Sequence, residues 1–294
     1  MSIDFNQFIE NTEGLGVLGV LVTKDGEESE WLYEADIRRN VYSAAKSFVS
    51  AAVGFALNEG LLSLEEKLTD AFAGRLPEHP SDNLKKATVR DTLTMCLGQR
   101  RAYLMADERP YVGEKDWVKY CLAQPFEDEP GTGFVYTNVG AYLAGVLIQE
   151  RAGCDLLSYL EPRLLEPLGI EKTIWEVDPL GRTFGASGLF LNLRELHRFG
   201  MLYLQKGQWE GRQILPEGWA EESTRKQVEN GKEGYGYLFW RDRENSFLAD
   251  GKFCQWTLVL PDRNAVISLT GEVRDYKALK KILFRNIVSQ LETC

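Results

Sequence analysis

Two kinds of hydrophobic pattern divide the chain. Gly16 to Thr23 is an apolar, β-branched run, Lys24-Asp25-Gly26 is a turn signal, and Trp31-Leu32-Tyr33 resumes the run, which predicts a β-hairpin. Asn40 then stands as an N-cap before an apolar and small-residue stretch from Val41 to Asn58, closed by Gly60; this predicts a helix buried on most of its surface. From Leu61 to about Arg225 the period is helical. Ser63-Leu64-Glu65-Glu66 and Thr88-Val89-Arg90-Asp91 have the form of capping boxes, as does Asn192 with Glu195. Gly98, Pro125, Gly153 and Gly207 mark stops, and Pro216 suits a first helical turn. After Lys232 the period returns to strands in three runs, Tyr235 to Trp240, Phe253 to Leu260 and Ala265 to Thr270, with Pro261-Asp262-Arg263-Asn264 as a turn. An amphipathic helix follows from Tyr276 to Leu291.

Strands at both ends with helices between exclude a regular βαβ alternation. They predict an α+β fold in which an antiparallel sheet is assembled from both chain termini and flanked by helices, beside a helical lobe. The expected organisation is one two-lobed domain over residues 1–294, with a sheet lobe from 1–60 and 226–294, a helical lobe from 61–225, and ligands between them.

Composition narrows the function classes. A net charge of -10 argues against a nucleic-acid partner. The short basic runs, Gln99-Arg100-Arg101 and Lys280-Lys281 with Arg285, read as solvated surface. Met1 to Gly14 is polar and acidic, without the pattern of a secretory signal, and the apolar runs are too short or too interrupted by glycine to span a membrane; a cytoplasmic protein with no membrane partner is expected. Cys96, Cys121, Cys154, Cys254 and Cys294 are spaced for neither a disulfide framework nor a metal pair, which predicts reduced thiols. With only His79 and His197, far apart, a zinc site or a Ser-His-Asp triad is poorly provided for. The Glu127-Asp128-Glu129 run reads as a solvated loop, and His197 as a surface or satisfied helix histidine. Trp117, Tyr120, Tyr235 and Trp240 suit either a cleft wall or the core.

Any nucleophile must therefore find a base other than histidine. Ser43-Ala44-Ala45-Lys46 offers one, because side chains three apart on a helix meet and a desolvated lysine gains access to its neutral amine. A serine in a first helical turn also has free amides beside it for a developing oxyanion. Ser and Lys fall three apart by chance in many proteins, and an exposed lysine on a half-buried helix is the competing account. Against it, Lys46 stands in an otherwise uncharged run from Val41 to Asn58.

The stretch Val41-Tyr-Ser-Ala-Ala-Lys-Ser-Phe48, continuing through Asn58 to Glu66, resembles the first motif region of the serine β-lactamase-related family, which includes class C β-lactamases, penicillin-binding-protein-like peptidases and a group of esterases. Thr88 to Met95, Glu129-Pro-Gly-Thr-Gly-Phe-Val-Tyr-Thr-Asn138, Gly185 to Leu189 with Leu196 to Lys206 and Gln213 to Pro216, and Tyr235 to Trp240 resemble later family segments in order, so the likeness runs from about Gly19 to Thr270. It implies Ser43 as acylated nucleophile, Lys46 as its partner, Tyr136 as second base and Asn138 as a positioning group for Lys46 and substrate. The base is Lys46 or, if Lys46 stays charged, Tyr136. The family's third motif, Lys-Thr-Gly or an aromatic or His followed by glycines on a strand, is matched to Lys252-Phe253-Cys254. Lys252 is then the cation, Cys254 replaces a glycine and narrows the approach, and the Gln255 amide is the second oxyanion donor. Cys254 itself reads as a small buried side chain.

These residues predict a serine hydrolase that forms an acyl-enzyme on an ester, amide or lactam carbonyl of a small molecule, esterase or amidase activity being favoured over true β-lactamase activity. It would need no metal or organic cofactor. The alternative is a binding or sensor protein on the same fold, acylatable or inactive, with negligible turnover because of Phe253 and Cys254. Oligomeric state is not legible.

Overall fold

A computed structural model describes residues 3–291. Strands β1 (Val17–Lys24) and β2 (Glu27–Leu32) come from the start of the chain, and β3 (Trp240–Arg241), β4 (Phe247–Gly251), β5 (Gln255–Leu260) and β6 (Ala265–Gly271) from its last quarter. They form one antiparallel sheet in the order β2-β1-β6-β5-β4-β3. The predicted union of the two chain ends is the β1–β6 pair, in which Val20 faces Leu269 and Val22 faces Ile267.

The principal helices are α1 (Asn6–Thr12), α2 (Ala45–Asn58), α3 (Val89–Thr94), α4 (Val139–Ala152), α5 (Leu193–Leu204) and α6 (Tyr276–Asn286). One sheet face packs on α6 through Leu279 and Leu283, with Val20, Leu258 and Ile267 opposite. The other packs on α5 and α2 through Leu196, Phe199 and Phe48, with Val259 and Val266 opposite. Because both faces are covered, every residue of β5 and β6 is buried, giving continuous runs rather than alternation. Phe48 and Phe199 stack with centroids 3.9 Å apart and tie α2 to the sheet; truncating a buried phenylalanine of this kind costs about 3–5 kcal/mol. α4 is buried through Gln149 on all sides, as a helix apolar all round must be. Gly140 lets it approach α3, since a Cβ there would lie 2.0 Å from the Thr92 carbonyl oxygen.

Several local expectations hold. The capping boxes at Thr88/Asp91 and Asn192/Glu195 both form. Others change. Ser63 heads a turn instead of a helix: its hydroxyl accepts the Glu65 amide and its carbonyl the Glu66 amide. The stretch from Val41 opens with a 3-10 turn, Tyr42–Ala44, and only then becomes α2 at Ala45; the caps are Val41 and Ala44, and Asn40, expected as the N-cap, instead accepts the Tyr42 amide at 2.7 Å just ahead of the turn. Pro216 stands ahead of the helix Trp219–Thr224, its carbonyl accepting the Trp219 amide. Tyr235 to Trp240 contributes only Trp240 and isolated bridges to regular strand. β4, placed outside any strand by the sequence reading, is the missing fourth strand, and α1 occupies the acidic start.

Cys96, Cys121, Cys154 and Cys254 are free thiols; Cys294 lies outside the described residues. Glu127, Asp128 and Glu129 are bound by the Arg100 amide, the Arg100 guanidinium and Lys86 at the surface. His197 is the satisfied kind, buried between the hydroxyls of Thr23 and Ser268. Among the described residues no helix is long and apolar enough to cross a membrane.

Candidate active site

The 3-10 turn carries Ser43 into a cleft of about 800 Å³. Tyr42, just before it, takes a left-handed φ of 47°, a conformation disfavoured for a bulky side chain and held here by the Asn40 bond. Lys46, one helical turn on, is 1% exposed. Its Nζ lies 3.0 Å from Ser43 Oγ, 2.6 Å from Asn138 Oδ1 and 2.8 Å from the Ala186 carbonyl oxygen. The last two partners can only accept. A neutral lysine amine has two hydrogens and one lone pair, so once Asn138 and Ala186 have taken the hydrogens the lone pair faces the one partner able to donate, the Ser43 hydroxyl. The amine is also within reach of neutrality at ordinary pH: burial, assisted by the charge of Arg109 and opposed by that of Asp250, brings Lys46 down to about 7.

Asn138 occupies the N-cap position of α4. Its Nδ2 donates to the Leu104 carbonyl at 2.8 Å, which fixes the amide so that Oδ1 addresses Lys46. Tyr136 lies two residues earlier, its ring centroid 5.1 Å from Lys46 Nζ and 5.0 Å from the Trp240 ring. Burial pushes its phenol well above the usual tyrosine range; the Asp250 charge adds to this, and hydrogen bonding with Ser43 and Trp240 opposes it. Tyr136 therefore holds its proton at neutral pH. Of the two side chains that the sequence left open, Lys46 is the one whose neutral form is within reach at neutral pH.

The third wall corrects the sequence reading. Lys252, Phe253 and Cys254 are not on a strand; they form the turn between β4 and β5, where Phe253 and Cys254 take left-handed φ values of 62° and 68°. The strand end beside Ser43 is Asp250-Gly251. A Cβ on Gly251 would come within 2.1 Å of the Val41 carbonyl oxygen, so glycine is what allows the hairpin to close on the Ser43 turn. Lys252 is exposed at the cleft rim, its ammonium 4.9 Å from the Phe253 ring, and Phe253 packs edge-on against Tyr42 at 5.4 Å. Cys254 is a buried cleft-lining side chain whose thiol is pushed up to about 12 by burial and by Asp250, so it is an unreactive filler. Gln255 is not brought to the cleft. It pairs with Gly251 across the hairpin, and its Nε2 donates to the Gly271 carbonyl.

Arg109 and Asp250 are among the cleft residues that escaped the sequence reading. Arg109 reaches in from an irregular loop, held by Glu176 at 2.6 Å and lying 4.5 Å over the Phe184 ring. Nothing local in the sequence marks it. Asp250 was visible only as the first half of an Asp-Gly pair. Of the aromatics, Trp240 lines the cleft, whereas Trp117 and Tyr235 belong to the core.

The family model described as Beta-lactamase matches residues 5–277. The chain belongs to the Beta-lactamase family. A curated relative, the N-acetylmuramyl-L-alanine amidase of Bacillus subtilis (strain 168), is 28% identical over 158 residues, covering 50% of this chain and 35% of its own. The monacolin J acid methylbutanoyltransferase of Aspergillus terreus is 33% identical over 114 residues, 36% of this chain and 26% of its own. The chain thus spans well under two thirds of the length of these curated relatives. A solved structure from Bacillus anthracis, provisionally described as a 6-aminohexanoate-dimer hydrolase, superposes with a TM-score of 0.83 at 18% identity, covering 99% of this chain and 86% of that one. Membership in the Beta-lactamase family carries the β-lactamase/transpeptidase-like fold expected from the sequence.

Proposed function

We propose that the protein hydrolyses a small ester or amide through an acyl-enzyme on Ser43. The observation that carries this is the buried Lys46 amine, 3.0 Å from Ser43 Oγ and brought down to about 7. At pH 7 the neutral fraction of the amine then rises from roughly one in three thousand to about one half. Lys46 takes the Ser43 proton as Oγ attacks the carbonyl carbon, and the oxyanion is met by the backbone amide of Ser43 and by an amide of the β4–β5 turn that faces it. Collapse expels the leaving group, which takes a proton relayed from Lys46 by way of the Tyr136 hydroxyl. Water, deprotonated by Lys46, then attacks the acyl carbon and releases Ser43.

Ester or amide is favoured over lactam because Asp250 lines the cleft and opposes the carboxylate that penicillin-type lactams carry. The B. subtilis amidase and the A. terreus acyltransferase are consistent with carbonyl chemistry on this fold. The test is intact-mass analysis of wild type and Ser43→Ala after a fluorophosphonate and, separately, a nitrophenyl ester, with free product followed in time. The expected result is an adduct absent from Ser43→Ala together with continuing release of product. An adduct without release would indicate the sensor alternative, and no Ser43-dependent adduct would overturn the hydrolase.

A further inference from the structure

We infer that the cleft is built to hold a positively charged amine of the substrate, seated on Asp250 beside the rings of Trp240 and Tyr276. This rests on the Ser43 hydrolase reading and names its substrate class. The charges of the cleft lead to it one by one. Lys46 is engaged by Ser43, Asn138 and Ala186, and Arg109 by Glu176. Asp107, Lys252 and Arg274 are exposed at the rim. Among the described residues that line the cleft, Asp250 alone is both set into the wall and without a cation at ion-pair distance. Its Oδ1 accepts the Trp256 indole N–H at 2.7 Å, and among the described residues nothing bonds its Oδ2. The cations whose charge reaches it are Lys280, Lys232 and Lys46, none at ion-pair distance. Lys280 is held 2.7 Å from Asp242, and Lys232 is exposed, 6.0 Å from the Trp240 ring.

A carboxylate set into a wall with no cation is unfavourable until one arrives. Consistent with that, burial, opposed by the Trp256 bond and by the lysines, raises its carboxyl to about 6, which still leaves it ionised above neutral pH. The strand geometry leaves space for a guest. Asp250 shares the face of Leu248 and so turns toward α6, which carries Tyr276, while β3 pairs only with Phe247 and Leu248 and leaves the sheet edge at Asp250 uncovered. Trp240, which pairs with Leu248 two residues before Asp250, and Tyr276, whose phenol feels the Asp250 charge, line the same cleft as the carboxylate and give it aromatic neighbours. Such neighbours favour a cation over a neutral group of the same size.

The experiment compares three nitrophenyl esters of equal acyl length ending in dimethylammonium, isopropyl or carboxylate. For wild type, kcat/KM for the ammonium ester should exceed that for its isopropyl isostere by about 10- to 100-fold. In Asp250→Asn, which keeps an oxygen for the Trp256 bond, the ratio should fall to about threefold or less. Any change in Lys46 basicity acts on both esters and cancels in the ratio. A wild-type ratio near one, a ratio that survives Asp250→Asn, or a preference for the carboxylate ester would each overturn the inference, the last in favour of Lys252 and Arg274. Absence of Ser43-dependent turnover on all three would instead defeat the hydrolase reading. The amine site would then be read by calorimetry of Ser43→Ala with the dimethylammonium and isopropyl alcohols of the same length, where equal affinity overturns it.

Discussion

The first turn of α2 and the β4–β5 hairpin face each other across the cleft, and only one of them could be read from the chain. Ser43 and Lys46 meet because of a spacing of three within one turn, so their sequence already contains their geometry. The hairpin's contribution depends on which residue of Phe247–Leu260 stands opposite the Ser43 turn. That register is set by pairing with β6 and by contact with Val41, partners distant in sequence. Local chemistry is legible where the contact is local; where the contact crosses the molecule, a shift of two residues goes unnoticed and exchanges Lys252 for Asp250.

The comparison can be broken most decisively at Lys46. Lys46→Met should lower kcat by about three orders of magnitude or more, since the base is lost. Its thermal stability should hold or rise, because a buried amine is replaced by an apolar chain of similar length. The sign of the pH effect follows from the direction of the shift. The folded protein binds fewer protons than the unfolded chain between about 7 and the ordinary lysine value of 10.5, so this site adds stability as pH rises across that window and withdraws it as pH falls toward 7. Lys46→Met should lack that slope. In the wild type, kcat/KM should rise through about pH 7 and then level, with no descending limb from Tyr136 in the ordinary range. A lysine titrating near 10 in the pH–rate profile would remove Lys46 as the base.

On the hairpin side, Gly251→Ala should lower kcat/KM by about 100-fold, because the hairpin must retreat from Val41 by more than an ångström. Native circular dichroism with slow fluorophosphonate labelling is the expected signature. Full activity would mean that the hairpin does not position the Ser43 turn. The smallest effect belongs to Cys254→Gly. Relief of a left-handed side chain and loss of a small buried group offset each other, leaving stability within about 1 kcal/mol and Tm within about 2–4 °C. KM for bulky acyl groups should fall while that for acetate stays. A large drop in Tm would make Cys254 a core anchor instead of a filler.

The same division runs through the rest of the molecule. The caps at Thr88 and Asn192, the β1–β2 hairpin and the union of the chain ends were legible because each rests on short-range pattern or on element order. Ser63 misled because its pattern of side chains also suits a turn, and nothing in four residues says whether a helix follows. β4 was missed because it offers only Phe247-Leu248-Ala249 before an Asp-Gly pair that reads as a breaker. Arg109 was invisible because an irregular loop delivers it. Tyr136 lines the cleft, but its protonation depends on burial and on Asp250, and neither is written in the Tyr-x-Asn spacing.

The pairing of β1 with β6 also orders events in time. During synthesis the residues of Val17–Lys24 emerge early, yet their β6 partners lie almost 250 positions later. The helices that hold Ser43, Lys46 and Asn138 can gather before then, but the hairpin that closes the cleft cannot dock against a sheet that does not yet exist. Until the final strand leaves the ribosome, β1 presents an unpaired apolar edge, the kind of surface that chaperones hold and that aggregates form on. Closure of the cleft thus waits on synthesis of β6, although Ser43 and Lys46 precede that strand by most of the helical part of the chain.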